Sequence, residues 1–401
     1  MPGSSKYRPV KGIPRYRPDI YASDAIVDPY PHYARLRELG SMVWLPKQRV
    51  YALPRFAECK AVLRDDKTFV SDGGVALNPI SNRLSRGTTL GSDGAEHNRR
   101  RKLVAHRMLP RALGAISATV SEQAAQVVDA AITKGDVDGV ADLATALPLA
   151  VVPDLVGWPR DQRDHLLAWA GATFDVLGPL NGQWLKASRS SVQMLRFARR
   201  VVRRRSVIEG SLGHDVLIAA DEGKLRHREC PPLMVDYIAP SLDTTISAIS
   251  SALHLFATFP EQWEILKADQ DLIPNAVNEV IRYESPLRGF GRKAAREAPI
   301  GDATIPAGSR VLVLYASANR DEREWDRADD FDIRRDAGRQ LGFGHGAHAC
   351  AGQGLARLET EAMLRALTER VDRIELTSSP TWAINNIIRR HERLPLKLIA
   401  A

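Results

Sequence analysis

Apolar residues recur mostly at helical spacing along the chain, so helices are predicted to dominate the fold. Long helices are predicted over residues 189–207, which hold many arginines, and over 232–259, which is largely apolar. A third helix is predicted over 275–284, and it ends before Pro286 because proline disfavours the helical conformation of the preceding residue. A C-terminal helix is predicted over 352–371, directly after a glycine-rich loop.

The β-type pattern is short by comparison. Strands are predicted at 50–53, 311–314 and 396–399, and loops at 72–86 and 178–182. We see no repeat, low-complexity tract or linker in the sequence. Residues 1–401 are therefore interpreted as one mostly α-helical domain with a small β region. Roughly residues 1–18 are expected to form a loosely held N-terminal arm.

The composition is that of an ordinary globular protein, with 44% hydrophobic and 26% charged residues among 401. No run of 18 apolar residues is present, so no membrane span is expected. The most apolar stretch, 146–156, contains Pro148, Pro153 and Asp154 and is interpreted as a buried segment. The basic N-terminus lacks the apolar centre of a signal peptide.

Cysteine content and charge narrow the setting of the protein. Three cysteines, Cys59, Cys230 and Cys350, are too few for a disulfide scaffold, which favours a reducing cytoplasm. The formal net charge is +8. That charge fits nucleic acid, an acidic partner or simple solubility. No nucleic-acid-binding motif accompanies it, so nucleic acid is not expected as a partner.

The most informative motif is a cysteine in a glycine-rich loop before a helix, F-G-H-G-A-H-A-C-A-G at residues 343–352. Glycines let the backbone approach a flat ligand and turn N–H groups toward the sulfur. The following helix adds the positive end of its dipole. These features suit a thiolate ligand at Cys350. An inert buried cysteine remains an alternative, as does a zinc site with His345 and His348, although a second Cys/His pair at matching spacing is missing.

The loop closely resembles the haem-binding loop of the cytochrome P450 monooxygenases, through the pattern F-G-x-G-x-H-x-C-x-G. The resemblance covers nearly the whole chain, because further motifs of the family follow in the same order. It implies the cytochrome P450 fold, mainly α with a small β region, with haem b between a long central helix and the cysteine loop. It also implies that Cys350 ligates the iron and that Phe343 and Gly344 contact the haem.

A second motif, N-E-V-I-R, places Glu279 and Arg282 three residues apart on one helical face. Taken alone it indicates a surface ion pair of small energetic value. In the order of the family it resembles the buried Glu-x-x-Arg pair behind the haem. The resemblance implies that Arg335, rather than its neighbour Arg334, is the third member, and that these residues hold the fold without taking part in the chemistry.

A basic stretch, E-H-N-R-R-R-K at 96–102, resembles the family's His-x-x-x-Arg haem clamp. The implied haem-propionate contacts, since cationic groups suit carboxylates, are His97, Arg101, Arg292 and His348. A solvated helix face is the alternative, and it is preferred for Arg99, Arg100 and Lys102, which are expected to face solvent on the cysteine side of the haem. Gln340 stands where many bacterial members carry histidine, so one propionate contact is expected to be neutral.

The central helix contains A-P-S-L-D-T-T, where Asp243 and Thr244 match the acid–alcohol pair that delivers protons during oxygen activation. The alternative for Thr244 is an ordinary hydroxyl bonded to the carbonyl four residues earlier. Pro240 and Ser241 depart from the usual Ala-Gly of the family. Proline removes a helical hydrogen bond, so Pro240 is expected to open the helix beside the oxygen site.

The resemblance implies a monooxygenase that inserts one oxygen atom from dioxygen into a C–H bond. Its electrons come from NAD(P)H through a reductase and an acidic iron–sulfur ferredoxin, because no flavin or iron–sulfur domain is visible in the chain. The cluster of Arg99, Arg100 and Lys102 is predicted to dock this ferredoxin. A peroxide-driven enzyme and a non-catalytic haem protein are the rival interpretations, and the Asp243–Thr244 pair argues against the first.

Parts of the chain resemble bacterial members that demethylate para-methoxybenzoates, for example W-A-G-A-T-F-D-V-L-G-P-L-N and N-N-I-I-R-R-H-E-R-L-P-L-K-L. In those relatives Arg and Ser side chains hold the substrate carboxylate, and the positions matched here are Asp72, Val235, Asp236 and Ala239. A buried carboxylate facing acidic side chains is unfavourable. A neutral methoxyphenol, oxidatively demethylated, is therefore expected, unless Arg83, Arg86 or Arg288 substitutes. An aromatic acid remains the alternative. The predicted apolar substrate contacts are Val75, Leu77, Phe174, Leu177, Ala239, Leu287 and Phe290.

Overall fold

The computed structural model describes residues 9–161 and 163–401, apart from the side chains of Val104, Ile238 and Ala239. The α-helices of these residues are α1 (Ser23–Val27), α2 (Tyr30–Leu39), α3 (Phe56–Arg64), α4 (Pro79–Leu84), α5 (Gly94–Ala105), α6 (Pro110–Lys134), α7 (Ala146–Val156), α8 (Leu166–Asp175), α9 (Gly182–Arg204), α10 (Leu212–Asp221), α11 (Cys230–Thr258), α12 (Pro260–Ala268), α13 (Ile273–Tyr283), α14 (Tyr315–Ala318) and α15 (Gln353–Arg370).

The strands are β1 (Val43–Leu45), β2 (Val50–Leu53), β3 (Phe69–Val70), β4 (Asp136–Asp138), β5 (Phe290–Ala294), β6 (Ala298–Ile300), β7 (Ala303–Ile305), β8 (Arg310–Val313), β9 (Val371–Leu376), β10 (Thr381–Trp382), β11 (His391–Arg393) and β12 (Pro395–Ala400). The largest sheet has the order β1-β2-β8-β5-β3, in which only β2 and β8 run parallel. A second, antiparallel sheet has the order β4-β12-β9. The small β region therefore stands beside a much larger helical part.

The helical part is organised around α11, which is 29 residues and thus about 43 Å long. The helix begins at Cys230 with proline in its first turn, where a missing N–H costs no helical hydrogen bond. α7, α8, α9 and α15 all pack against it. Most of its side chains are buried, so the apolar run follows from its position in the middle of the helical part.

The long helices fall close to their predicted positions, as 232–259 becomes 230–258 and 352–371 becomes 353–370. α9 begins earlier than predicted, at Gly182, because the Asn181 side chain accepts a hydrogen bond from Trp184 N and caps the helix. The predicted loop at 72–86 contains a short helix, α4, which the Asn78 side chain caps through Ser81 N. Short polar caps therefore decide boundaries that periodicity leaves open.

The prediction of a loose N-terminal arm is wrong for the described part of it. Trp44 N donates to Pro14 O at 2.8 Å, and Tyr16 N donates to Trp44 O at 3.0 Å. Val10 N donates to the Tyr51 hydroxyl at 3.0 Å. The free edge of β1 offers backbone groups that need partners, and residues 10–16 satisfy them. Residues 1–8 lie outside the described part of the chain.

One helical stretch, 139–156, is long and apolar enough to cross a membrane by length and composition, and half of it is buried inside the protein. It consists of a π-helical segment, 139–144, followed by α7. Both parts pack against α11. This agrees with the prediction of a buried segment at 146–156.

Candidate active site

The cysteine loop connects the β-rich part of the chain to α15. Cys350 N donates to Phe343 O at 2.8 Å, and Gly344 N donates to Leu341 O at 2.8 Å, which closes the loop on itself. Gly346 has φ +71°, and a Cβ there would lie 2.4 Å from the Leu63 carbonyl oxygen at the end of α3. A side chain at this position would therefore both strain the backbone and push the loop away from α3.

The Cys350 side chain is exposed to a cavity inside the protein, which it helps to line. Burial raises the pKa of this thiol, and the backbone N–H groups of Gly352 and Gln353 together with the Arg101 guanidinium act in the opposite direction. Those three groups are donors and positive charges aimed at the sulfur, and α15 begins at Gln353. The surroundings thus suit a sulfur that is deprotonated when a metal binds it.

Basic residues from three segments line the cavity beside the cysteine: His97 and Arg101 from α5, Arg292 from β5 and His348 from the cysteine loop. The His97 and His348 rings lie 4.2 Å apart between centroids, and His348 Nε2 is 3.2 Å from Asp93 Oδ1. Burial lowers the pKa of His97, and the neighbouring His348 and Arg101 act in the same direction. His97 Nε2 is buried and has no hydrogen-bond partner among the residues that the structure describes.

Gln340 does not belong to this basic group. Its side-chain oxygen accepts a hydrogen bond from Gly342 N, and it is absent from the cavity wall. The expectation of a neutral propionate contact from Gln340 is therefore wrong. Tyr315, which the sequence reasoning did not single out, lines the cavity instead. Burial raises the pKa of this phenol, and Arg292 beside it acts in the opposite direction.

The structure brings Glu279, Arg282 and Arg335 together behind the loop. Arg282 Nε and Nη2 bond to the two Glu279 oxygens at 2.7 and 2.8 Å, and both side chains are fully buried. Arg335 Nε lies 3.3 Å from Glu279 Oε1, while Arg334 is exposed. Arg282 also donates to three backbone carbonyls, those of Asn319, Ala328 and Asp330. A buried pair with its remaining hydrogen bonds satisfied holds the segment before the cysteine loop.

The central helix crosses the other side of the cavity. Thr244 lines it, and its hydroxyl donates to Pro240 O at 2.6 Å. Ser241 and Thr245 likewise bond to the carbonyls of Tyr237 and Ser241, four residues earlier. α11 continues through Pro240 from Cys230 to Thr258, so the expected opening of the helix at this proline is not observed. Because the Thr244 proton points at a carbonyl, its oxygen faces the cavity as an acceptor.

Asp243 is fully buried on a different side of α11 and does not line the cavity. Its Oδ1 lies 2.8 Å from Arg390 Nε, although neither carboxylate oxygen has a hydrogen bond of good geometry among the described residues. Burial raises the pKa of Asp243, and Arg390 opposes the shift. A Cβ at Gly171 of α8 would be 3.4 Å from Asp243 Oδ2, so the carboxyl faces α8 and Arg390.

Three of the predicted apolar substrate contacts, Phe174, Leu287 and Phe290, line the cavity. Val75, Leu77 and Leu177 do not, and all three are buried in the core around the large sheet. Their placement as substrate contacts is wrong, because these side chains pack in the core and not in the cavity wall. Leu77 and Leu177 are also joined through their backbones, as Leu77 N donates to Leu177 O at 2.8 Å. The side chain of Ala239 lies outside the described part of the structure.

Asp236 on α11 is an acidic residue beside these apolar walls. It lines the cavity, and its carboxylate accepts a hydrogen bond from Thr89 N. Burial raises its pKa to about 7, while the bonds from Thr89 act in the opposite direction. Of the positions matched to carboxylate-holding residues, Asp72 is exposed and neither it nor Val235 lines the cavity. The residue of this set that faces the cavity, within the described side chains, is therefore acidic.

The predicted basic cluster is not a free surface. Arg100 is buried and lies 2.8 Å from Glu229 and 3.1 Å from Glu96. Arg99 binds the same two carboxylates at 2.9 and 2.8 Å. The expectation of a solvent-facing side chain is wrong for Arg100, because Glu229 from the segment before α11 covers it, whereas Arg99 stays about one-third exposed. Lys102, by contrast, is exposed.

The family model described as Cytochrome P450 matches residues 192–380. The chain is 35% identical over 394 residues to cytochrome P450 CYP199A2 of Rhodopseudomonas palustris, covering 97% of this chain and 96% of the relative. It is 32% identical to the cytochrome P450 monooxygenase PikC of Streptomyces venezuelae, covering 93% and 92% of the two chains. The chain therefore belongs to the cytochrome P450 family.

The fold agrees with solved structures of that family. Cytochrome P450 CYP109Q5 from Chondromyces apiculatus aligns with a TM-score of 0.82 at 31% identity, over 96% of this chain and 99% of that one. Epothilone D-bound cytochrome P450epoK aligns with a TM-score of 0.85 at 28% identity, over 96% and 100%. The predicted fold and the family are confirmed. The protein is a monooxygenase that uses haem b, dioxygen and electrons originating from NAD(P)H, delivered by redox partners.

Proposed function

We propose that Cys350 would ligate the haem iron, that Phe343 and Gly344 would contact the haem, and that His97, Arg101, Arg292 and His348 would bind its carboxylates. The observation that carries this proposal is the single cavity that joins Cys350, these basic groups and Thr244. Its donor set fits haem, because it offers a sulfur with N–H donors, cations for carboxylates and the partnerless His97 Nε2. The bound haem supplies oxygen activation and electron acceptance.

Thr244 and Asp243 serve proton delivery in this proposal. Thr244 presents its oxygen to the cavity, where it holds a proton donor such as water beside the reacting oxygen. Asp243 lies behind it with a raised pKa, so it carries a proton more readily than an exposed carboxyl. Arg390 holds the Asp243 carboxyl toward α8, and a change of the Asp243 rotamer is needed to bring it to the cavity.

The proposed substrate is a small neutral aromatic with a methoxy group, which is oxidatively demethylated to a phenol and formaldehyde. Phe174, Leu287 and Phe290 give the cavity apolar walls, and the carboxyl of Asp236 faces the same cavity. Arg288, a candidate anchor for a carboxylate, is buried and bound to Tyr33 and the Ile20 carbonyl. Arg83 and Arg86 line a separate surface cavity. A methoxyphenol hydroxyl can donate to Asp236, whereas a benzoate meets a like charge.

The Asp236 carboxyl predicts a pH-dependent preference between substrates. Its pKa is raised to about 7, so it is neutral at pH 6 and largely ionised at pH 8. Para-methoxybenzoate binding is therefore expected to weaken by roughly tenfold from pH 6 to pH 8, because the ionised Asp236 carboxylate repels the carboxylate of the ligand. Binding of para-methoxyphenol, neutral throughout, is expected to hold or strengthen. Spin-state titrations of both ligands at the two pH values measure this.

Asp236→Asn is the matched variant, since it keeps the shape of the side chain and removes the charge. It should make benzoate binding independent of pH across this range and lower the ratio of methoxyphenol to benzoate demethylation. Formaldehyde release under identical electron supply gives that ratio. Faster demethylation of the benzoate than of the phenol by the parent enzyme at pH 8 would contradict the neutral substrate and favour an aromatic acid.

For electron supply we propose an acidic iron–sulfur ferredoxin with its reductase. The docking face consists of the cations that surround the cysteine loop: Lys60 and Arg64 on α3 and Lys102 on α5. Arg64 follows Leu63, whose carbonyl contacts Gly346, and both α3 cations help to lower the pKa of His345, a shift caused first by burial. Arg64 and Lys102 are exposed. Exposed charges of this kind act mainly on the rate of association.

Arg64→Glu with Lys102→Glu is expected to raise the apparent KM for ferredoxin several-fold at low salt, with a smaller difference at high salt because exposed charges are screened. Initial-rate kinetics at two ionic strengths measure both effects. Arg100→Glu should instead lower the melting temperature, because it removes one of the two arginines that pair with the largely buried Glu229 and places a like charge beside it. If reversal of Arg64 and Lys102 leaves the KM unchanged at low salt, these residues do not form the ferredoxin-docking face.

A cytoplasmic location remains a prediction.

A further inference from the structure

The outer face of α9 concentrates positive charge. From Gly182 to Arg205 the chain has no acidic residue and eight cationic ones, Lys186, Arg189, Arg196, Arg199, Arg200, Arg203, Arg204 and Arg205. The net charge of the whole chain is +8, so this segment alone carries as much positive charge as the chain's net excess. Seven of the eight are exposed, and within residues 9–161 and 163–401 only Arg205 forms an ion pair, with Asp221. The array extends along about 29 Å of the chain's helical length.

Exposed apolar side chains gather beside this charge. Ten large hydrophobic residues are exposed in the described part of the protein, and five of them belong to α4, to α9 or to the turn before α9: Ile80, Leu84, Leu180, Leu185 and Val192. Leu84 is 75% and Leu185 is 69% exposed. The two segments adjoin, because Trp184 Nε1 donates to Ser81 Oγ at 3.1 Å. We call these five residues and the α9 cations the α4–α9 patch.

The composition of the patch restricts what covers it. A second copy of the chain, placed face to face, would set one cationic array against another and be repelled. The phosphates of a nucleic acid would pair with the arginines, but they would make no apolar contact with the exposed leucines. The apolar members project singly and include no exposed aromatic ring, the kind of residue that anchors protein interfaces. A fluid surface that takes up separate apolar side chains and carries negative charge satisfies both features.

We propose that the α4–α9 patch docks the protein peripherally on an anionic lipid surface. The leucines enter the boundary between headgroups and acyl chains, and the α9 arginines bind lipid phosphates. The segment that carries α4 also contributes Thr89 and Leu90 to the cavity wall. Docking therefore brings the roof of the cavity close to the lipid, where neutral aromatic molecules accumulate. This last consequence rests on the proposed function, whereas the docking itself does not.

The test is co-sedimentation of the haem-loaded enzyme with sucrose-filled vesicles of phosphatidylcholine, with and without 30 mol% phosphatidylglycerol. We expect binding to the anionic vesicles at low salt, at least about tenfold weaker binding to the neutral ones, and release at high salt. Equal binding to both vesicle types, or to neither, would overturn the proposal. Substrate turnover is not part of this measurement, so its outcome is independent of the proposed function.

Two variants separate the charge from the apolar residues. Arg196→Glu with Arg199→Glu and Arg203→Glu is expected to weaken binding to anionic vesicles at least about tenfold, because each cation near such a surface contributes separately. Leu84→Ser with Leu185→Ser is also expected to weaken it, by removing buried apolar area. Full retention of binding by the serine variant would contradict lipid insertion and favour a polyanionic macromolecule that responds to charge alone.

The matched control reverses three exposed cations for which the structure shows no ion pair and which lie off the patch, Arg17, Arg160 and Lys397. Its net charge equals that of the α9 variant, so general electrostatic attraction is the same. We expect it to bind anionic vesicles nearly as well as the parent. A loss as large as that of the α9 variant would show that net charge, and not this face, governs binding. The carbonyl spectrum of each variant verifies that it is folded.

Discussion

Cys350→His is expected to move the reduced carbonyl complex from the strongly red-shifted Soret band of this family to a band of the imidazole type, and to reduce monooxygenase activity to background. The thiolate is an anionic donor that increases electron density at the metal, whereas imidazole is neutral and a weaker donor. The geometry permits the exchange, since Cys350 opens onto the cavity and the loop is closed by backbone bonds that the substitution leaves intact.

Cys230→Ser is the control for this experiment, because it removes another thiol without altering the loop. Cys230 lies at the start of α11, is fully buried, and is absent from the cavity wall. Its variant is expected to keep the red-shifted band, although it loses some stability as a polar group enters an apolar site. An unaltered spectrum in Cys350→His would assign the ligand to another residue.

The elements that the sequence predicted best are those whose signal is local. The apolar residues of α11 and of the helix after the cysteine loop recur about every 3.6 residues, and this pattern can be recognised in the local sequence without knowledge of distant contacts. The loop could be recognised from the sequence because positions with positive φ, such as Gly346, strongly favour glycine. Glu279 and Arg282 share a turn of helix, so their pairing follows from spacing, and burial is the part that spacing leaves open.

Features that depend on distant segments could not be predicted in this way. Arg100 has the sequence context of an exposed helix face, and only the approach of Glu229 from the segment before α11 buries it. Arg390 reaches Asp243 from the C-terminal region, which no spacing rule reveals, although it lies in one of the stretches that resemble other family members. Val75 and Leu177 are apolar like the cavity wall, and composition alone cannot distinguish packing from substrate contact.

The Thr244 hydroxyl leads to the second prediction of large effect. Thr244→Ala is expected to leave substrate binding within about twofold, because a lost methyl and hydroxyl at the cavity edge remove little contact area. The fraction of electrons recovered in product is expected to fall severalfold or more. Without the hydroxyl oxygen, no acceptor at this point of α11 holds a proton donor beside the reacting oxygen, and electrons leave as hydrogen peroxide.

Thr244→Ser decides whether the hydroxyl or the packing of the side chain is responsible. Serine can make the same bond to the Pro240 carbonyl that Thr244 makes at 2.6 Å, so its oxygen again faces the cavity as an acceptor. Coupling should therefore stay close to the parent in Thr244→Ser and fall in Thr244→Ala, with NAD(P)H consumption, peroxide and product measured together. Asp243→Asn should slow NAD(P)H consumption instead, because it removes the proton carrier behind the helix while the acceptor at Thr244 remains. Equal coupling in the alanine variant and the parent would exclude Thr244 from proton delivery and leave its bond to Pro240 as a structural feature of α11.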